Sequence, residues 1–193
     1  MTSICQISTL TSLKMGSSNT SDIKVHLKVA SSPANSPTSS RCFNTISTMS
    51  LENLKLLPNL TRLYIGKYLP HICGVSHHKG HCISLKAEDY PLLSHLESLQ
   101  KLELPYCVHL DDTGVTSFSK LTRLESIILM GCQQITDKAF VSWYGPLARL
   151  ESVDVSFCRS IKGKFIPFLS KSPIRWLALR ACSSIRNESL AGL

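Results

Sequence analysis

Apolar residues in the second half of the chain recur in a fixed arrangement around cysteines that are spaced 24 to 26 residues apart. Each cysteine follows apolar residues by three, five and eight positions, and further apolar residues come three, eight and eleven positions after it. The alternation before the cysteine predicts a short β-strand, and the later apolar pair predicts one face of a helix. The cysteines that define this pattern are Cys107, Cys132, Cys158 and Cys182.

Each unit of the pattern is a strand, a turn and a helix, and it is too small to bury its own apolar side chains. Polar residues that suit a helix N-cap follow two of the cysteines. They are Asp111, Asp112 and Thr113 in one unit, and Thr136 and Asp137 in the next. Neighbouring units must therefore stack. The predicted fold is an α/β solenoid, a horseshoe with a parallel sheet of short strands on its concave face and helices on its convex face.

The four cysteines are predicted to be buried, free thiols. Stacking places them in a column about 5 Å apart, so the four cannot close around a single zinc ion. A free cysteine behaves as a small hydrophobe, which suits the bend where a strand meets its turn. The N-terminus also lacks the basic and apolar segments of a secretory signal, so free thiols and a cytoplasmic or nuclear location are expected.

Two of the units carry a more specific signature. Residues 132–140 read CQQITDKAF after the strand segment LTRLESIILMG, and residues 107–115 read CVHLDDTGV. These segments resemble the cysteine-containing subclass of leucine-rich repeats, in which a strand LxxLxL is followed by a cysteine and an Ile-Thr-Asp-like turn. Residues 158–166 and 182–190 keep the apolar positions of this signature and lose its Thr-Asp pair.

The resemblance implies a horseshoe that binds another protein. The best-known members of the subclass are the F-box/leucine-rich-repeat substrate receptors of ubiquitin ligases and the related mitotic-exit antagonist proteins. The resemblance implies that the chain could be expected to act as the substrate-reading part of an SCF-type ubiquitin-ligase receptor, although residues 1–50 show no F-box-like helical module. The alternatives are a structural scaffold within a larger complex and a sensor segment of an immune-type receptor.

The repeat pattern also predicts how the chain is divided. Residues 51–193 are expected to form the leucine-rich-repeat domain, with an inserted loop at about 68–83. Residues 1–50 are expected to hold degenerate repeats, one aligning Met15 with Ile65 and another around 23–29, with a flexible Ser/Pro-rich segment at 31–49. Leu190 and Leu193 occupy core positions in the last unit, so a partner or further repeats are expected to cover that end.

The inserted loop contains HICGVSHHKGHC at 71–82, a concentration of possible metal ligands. The spacing matches no familiar zinc motif, since there is no C-x2-C pair and adjacent ligands seldom reach one ion. A plain polar loop is therefore favoured over adventitious metal affinity and over a functional metal site, and no cofactor is expected. The metal candidates that this interpretation sets aside are His71, Cys73, His77, His78, His81 and Cys82.

Charge and motifs narrow the function further. The net charge is +8, but the 21 Lys and Arg residues are scattered without a basic run, so a nucleic-acid partner is not expected. No apolar run is long enough to span a membrane. The sequence contains none of the common nucleophile, phosphate-binding or zinc-hydrolase motifs, so we expect a binding protein without catalytic residues rather than an enzyme.

The expected binding surface is the row of strand residues that alternate with the buried ones. Ile128 and Met130 are apolar where the pattern requires no apolar residue, and Trp176 lies on the same side. These side chains are expected either to contact a partner or to pack under the chain's own N-terminal segment. The candidate partner-binding residues are Tyr64, Lys101, Glu103, Ile128, Met130, Asp154, Trp176 and Arg180.

Overall fold

A computed structural model describes residues 57–66 and 85–190 fully, and residues 10–16 and 24–29 as strands. All the strands belong to one sheet with the order β2-β1-β3-β4-β5-β6-β7. Strands β3 to β7 run parallel, β1 is parallel to β3, and β2 is antiparallel to β1. The strands are β1 (Leu10–Gly16), β2 (Lys24–Val29), β3 (Arg62–Ile65), β4 (Lys101–Glu103), β5 (Ser126–Ile128), β6 (Ser152–Asp154) and β7 (Trp176–Ala178).

Equivalent positions of successive units lie side by side in the sheet. The buried residue of each strand pairs with its counterpart, in the order Leu63, Leu102, Ile127, Val153 and Leu177. The main-chain hydrogen bonds repeat as well. The residue before each of the strands β3 to β6 has a carbonyl that accepts from two amides of the next unit. For Gln100 these donors are Glu125 and Ser126, at 2.8 and 3.0 Å. The prediction of a parallel sheet of short strands combined with helices is confirmed.

The helical segments are shorter and tighter than the sequence pattern suggests. Among the described residues, Asp112–Ser117 is the one α-helix, and the other helices are of the 3-10 type. Apolar residues three positions apart fit one face of either helix type, and 3-10 turns suit connections too short for several α-helical turns. The 3-10 helices are Ala87–His95, Phe118–Lys120, Asp137–Trp143, Ile166–Lys171 and Asn187–Leu190.

Between the sheet and the helices lies one apolar core. Its largest side chains meet across units, because the Phe140 ring contacts Trp143 at a centroid distance of 4.8 Å and Phe165 of the next unit at 4.5 Å. The indole Nε1 of Trp143 donates to the carbonyl oxygen of Val115 at 3.0 Å. Aromatic packing and a buried hydrogen bond therefore connect three successive units.

Burial decreases toward β7, the last strand of the sheet. Ile174, Leu177, Leu179 and Ile185 pack on the core but are only partly buried, unlike their counterparts in the earlier units. Among the residues that the structure describes, no strand pairs with the outer edge of β7. Within the described parts of the chain, the apolar side chains of this unit consequently have a neighbouring unit on one side only.

The N-terminal strands agree with the sequence pattern in one respect and differ in another. Met15 of β1 aligns with Ile65 of β3, as predicted. However, β1 pairs directly with β3, and β2 is an antiparallel strand on the other side of β1, so residues 24–29 do not form a repeat between them. An apolar strand segment fits either orientation, which is why its sequence did not settle the pairing.

Some predictions concern residues outside the described parts of the chain. The Ser/Pro-rich segment 31–49, the inserted loop at 68–83 and Leu193 are among them, and the division at residue 50 stays a prediction. Within the described parts, no helix combines the length and the apolar character needed to cross a membrane.

Candidate functional site

One face of the sheet packs on the core, and the opposite face, which we call the open face, carries the alternating strand residues. Pairing places these residues in two rows that cross the strands, with about 4.8 Å between neighbours. Their side chains are exposed or partly buried. The first row is Arg62, Lys101, Ser126, Ser152 and Trp176, and the second row is Tyr64, Glu103, Ile128, Asp154 and Ala178.

The equivalent positions just beyond the strands are less accessible. Gly66, Pro105 and Ser156 are buried, whereas Met130 is partly buried and Arg180 is exposed. A side chain on Gly66 would collide with Pro105, because a Cβ there would lie 2.5 Å from the carbonyl oxygen of Pro105. These positions form a third row, and close backbone packing leaves it with two accessible side chains, those of Met130 and Arg180.

The structure brings half of the candidate partner-binding residues together. Tyr64, Glu103, Ile128 and Asp154 are consecutive members of the second row. Lys101 and Trp176 lie at separate places in the first row, and Met130 and Arg180 follow β5 and β7. The open face is thus one continuous surface that contains all eight candidates, and their role in binding stays a prediction.

Trp176 is the most exposed large apolar residue of the open face, with 50% of its surface accessible. A second exposed aromatic group lies away from the open face, where Tyr144 contacts Phe168 edge-to-face at 6.5 Å. The ammonium group of Lys171 lies 5.9 Å from the Tyr144 ring centroid. This second group already has intramolecular partners, so the open face carries the clearer candidate for contact with another molecule.

Each of the four repeat thiols donates a hydrogen bond to a main-chain carbonyl of the preceding unit. The Sγ atom of Cys132 lies 3.2 Å from the carbonyl oxygen of Leu104. The Sγ atom of Cys158 lies 3.2 Å from the carbonyl oxygen of Leu129. The same bond joins Cys107 to Ile65 at 3.4 Å and Cys182 to Val155 at 3.1 Å. The prediction that these cysteines are buried and free is confirmed. Their hydrogen bonds to main-chain carbonyls were not predicted from the sequence.

Burial makes three of these thiols difficult to ionise. It raises the pKa of Cys158 to about 12, and it raises the pKa of Cys132, with a further increase from the neighbouring thiols Cys107 and Cys158. The pKa of Cys182 is raised by the same burial. Since the thiolate is the reactive form of cysteine, Cys132, Cys158 and Cys182 are unreactive at neutral pH.

The raised thiol pKa values predict that the fold loses stability in alkaline solution. The pKa of a thiol in the unfolded chain is about 8.5, whereas burial raises the pKa of Cys158 in the folded chain to about 12. Its contribution is complete below pH 8.5 and is lost as the pH rises toward 12, at up to about 1.4 kcal/mol per pH unit. Between pH 8.5 and 10, the free energy of unfolding measured with urea should therefore fall more for wild type than for Cys158→Ala. Parallel pH profiles would contradict the assignment.

The residue before each cysteine has a left-handed backbone. Tyr106, Gly131, Phe157 and Ala181 all have φ between 55° and 75°. Only one of these positions is glycine, and a Cβ on Gly131 would lie 2.4 Å from Cδ1 of Tyr106 in the preceding unit. The tight turn into each cysteine is thus a structural feature of every unit from β4 onward, although the amino acid that adopts it varies.

Two aspartates connect the turns of neighbouring units. Asp112 accepts from the amide and the hydroxyl of Thr136, both at 2.6 Å. Asp137 accepts from the amides of Lys162 and Phe165 at 2.8 and 3.1 Å. The N-caps predicted at Asp111 and Thr136 are confirmed, but Asp112 and Asp137 do more than begin a helix, because each binds the following unit.

Replacing Asp112 with alanine is expected to lower the free energy of unfolding by about 2 kcal/mol. The change leaves two donors of Thr136 without their charged acceptor. Asp112→Asn keeps one acceptor and should cost about half as much. Denaturant unfolding followed by circular dichroism measures both, with the single-unit N-cap variant Asp111→Ala as a reference expected near 1 kcal/mol. If Asp112→Ala unfolds at the same denaturant concentration as wild type, this contact between units contributes nothing to stability.

The candidate metal ligands between His71 and Cys82 lie outside the described residues. Within 57–66 and 85–190, no group of three or more His, Cys, Asp or Glu side chains is placed to hold a metal ion. A scan of the chain against protein-family models and a search of the curated proteins both find no match. The geometry of the open face is therefore the basis for a functional proposal.

Proposed function

We propose that the chain is a leucine-rich-repeat protein of the cysteine-containing subclass that recognises another protein through the open face. In this fold the units stack as a solenoid, with the open face concave and the helices on the convex side. The equal register of β3 to β7 supports the proposal, as does the hydrogen bond from a cysteine thiol to the preceding unit, which recurs in the four units from β4 to β7.

The observation that carries the binding function is the apolar character of the open face at Ile128 and Trp176. Ile128 is only partly buried, and Trp176 has half of its surface exposed. Exposed apolar surface of this kind costs free energy in water, and contact with a partner recovers about 25 cal/mol for each Å² covered. Tryptophan is also among the residues that contribute most to protein interfaces.

The dimensions of the open face suit a protein partner. From β3 to β7 the rows extend over four strand intervals, which is about 19 Å. Charged, aromatic and aliphatic side chains are distributed along this length rather than converging on one small cavity. Small molecules are usually held in concave pockets that enclose most of their surface, whereas protein partners contact broad surfaces.

Within this class, the resemblance of the sequence favours the substrate-reading part of an SCF-type ubiquitin-ligase receptor, acting in the cytoplasm or nucleus. The alternative is a structural scaffold that uses the same surface to hold the other members of a larger complex. Partners whose recovery increases when the proteasome is inhibited support the receptor role. Constitutive recovery of one complex, insensitive to proteasome inhibition, supports the scaffold.

The proposal is tested by affinity purification and mass spectrometry of the tagged full chain. Ile128→Asp/Met130→Asp should lose the partners that wild type captures. Val141→Asp is the matched control, because Val141 is an apolar residue with 51% of its surface exposed and lies on the helix Asp137–Trp143. Equal recovery by wild type and the double variant would reject the open face as the binding surface.

A further inference from the structure

The second row of the open face places a carboxylate on each side of its apolar side chain. Ile128 pairs with Glu103 of β4 on one side and with Asp154 of β6 on the other. All three residues are partly buried. This local concentration of negative charge contrasts with the net charge of +8 on the whole chain.

Neither carboxylate forms an ion pair within the described parts of the chain. The ion pairs there join Lys86 to Glu88 and Arg175 to Glu151, and neither pair includes Glu103 or Asp154. Lys101 shares a strand face with Glu103 at a distance of about 7 Å along the strand, yet the two form no ion pair. The second row itself contains no cation from β3 to β7.

The carboxylate of Asp154 is also held in place. Its Oδ1 atom accepts the amide of Ser156 at 2.8 Å, which uses one of its two oxygens. The next residue of the row is Ala178, whose methyl side chain offers no polar partner to this carboxylate. The carboxylate therefore keeps an oxygen that can accept from a donor approaching the open face.

We infer that the open face binds a partner segment that presents an apolar side chain between two cationic side chains. The inference rests on the proposed function. A partner that covers Ile128 must also cover Glu103 and Asp154, since the three are neighbours in one row. Removing a carboxylate from water without a counter-charge is costly, so a partner that supplies two cations is strongly favoured over a neutral or acidic one.

The spacing of the row indicates a helix in the partner. Glu103 and Asp154 are two strand intervals apart, or about 10 Å. Residues i and i+7 of an α-helix are about 10.5 Å apart, with i+3 and i+4 between them on the same face. An extended segment would present residues on one face at about 7 and 14 Å instead. The partner helix therefore has Lys or Arg at i and i+7 and an apolar residue at i+3 or i+4.

The test is selection from a displayed library of random peptides long enough to form three helical turns, with the purified full chain as bait. Wild type should enrich peptides with Lys or Arg seven residues apart around an apolar residue. For a selected peptide, fluorescence anisotropy should show roughly tenfold weaker binding to Glu103→Gln/Asp154→Asn. The matched control Glu97→Gln/Glu125→Gln removes two exposed carboxylates elsewhere and should bind like wild type.

The outcomes separate the inference from the proposed function. Peptides that require Ile128, judged by loss of binding to Ile128→Asp, but lack paired basic residues would overturn the inference alone. Basic residues at any other spacing would overturn the helical geometry. If no selected peptide depends on Ile128, the inference and the binding role of the open face both fail. Competition by a peptide of residues 31–49 would show that the chain covers its own open face, which also overturns the inference.

Discussion

Trp143→Ala is expected to lower the free energy of unfolding by about 4 kcal/mol, the largest effect of any single substitution considered for this fold. The indole is 99% buried, and its Nε1 donates to the carbonyl oxygen of Val115 in the preceding unit. Alanine would leave a cavity beside Phe140 and would remove the indole donor from the Val115 carbonyl, which also accepts from the amide of Phe118. Urea unfolding followed by circular dichroism measures the loss.

The other tryptophan provides a matched control for this experiment. Trp176 is half exposed on the open face, so Trp176→Ala should lower the free energy of unfolding by no more than about 1 kcal/mol. The two variants remove the same side chain from environments that differ mainly in burial. Equal losses, or a larger loss at Trp176, would contradict the placement of Trp143 at the centre of the core.

Ile128→Asp/Met130→Asp is expected to weaken partner binding by at least about a hundredfold. Each aspartate replaces apolar contact area with a carboxylate that a bound partner would have to bury. Position 128 also lies between Glu103 and Asp154, so the new charge adds repulsion along the second row. Titration of a partner identified by affinity purification, by calorimetry, gives the dissociation constants of wild type and variant.

The same double variant should leave the fold intact. Ile128 and Met130 are partly buried on the open face, whereas their neighbours Ile127 and Leu129 form the core. The free energy of unfolding should therefore fall by about 1 kcal/mol or less for each substitution. Loss of binding accompanied by unfolding would mean that both side chains support the fold, and the assignment of a binding surface would then be wrong.

The register and the core follow from the sequence because every unit repeats the same packing. Leu102, Ile127 and Val153 occupy one position of the pattern, and the sheet places them side by side. The helix type was not predictable in the same way. Phe140 and Trp143 are three residues apart, and this spacing fits one face of an α-helix and of a 3-10 helix alike.

Contacts between units were harder to predict, because they depend on which main-chain group of the neighbour faces the side chain. The hydrogen bond from the Cys132 thiol to the carbonyl of Leu104 is of this kind. A signal was nevertheless present for the aspartates, since Asp112 and Asp137 both follow a cysteine by five positions. The next unit has Gly163 at this position, where Ser189 donates to the carbonyl of Lys162 instead.

The carboxylates around Ile128 could also have been found from the sequence. Glu103, Ile128 and Asp154 each precede a repeat cysteine by four positions. All three are among the candidate binding residues, and their common offset from the cysteines predicts that they lie in one row. What required the structure was their partial burial and the geometry of the Asp154 carboxylate, because both depend on the side chains that surround them.

Removal of one whole unit tests the central claim, that equivalent units stack and expose one continuous face. Deleting residues 133–158 joins Cys132 to Arg159 and restores the repeat pattern, whereas deleting only 133–145 breaks it. If the units stack as proposed, the first deletion should still unfold cooperatively in urea at a lower midpoint, and the second should show no cooperative transition. If the chain with 133–158 removed is as unfolded as the chain with 133–145 removed, the units are not interchangeable and the account is contradicted.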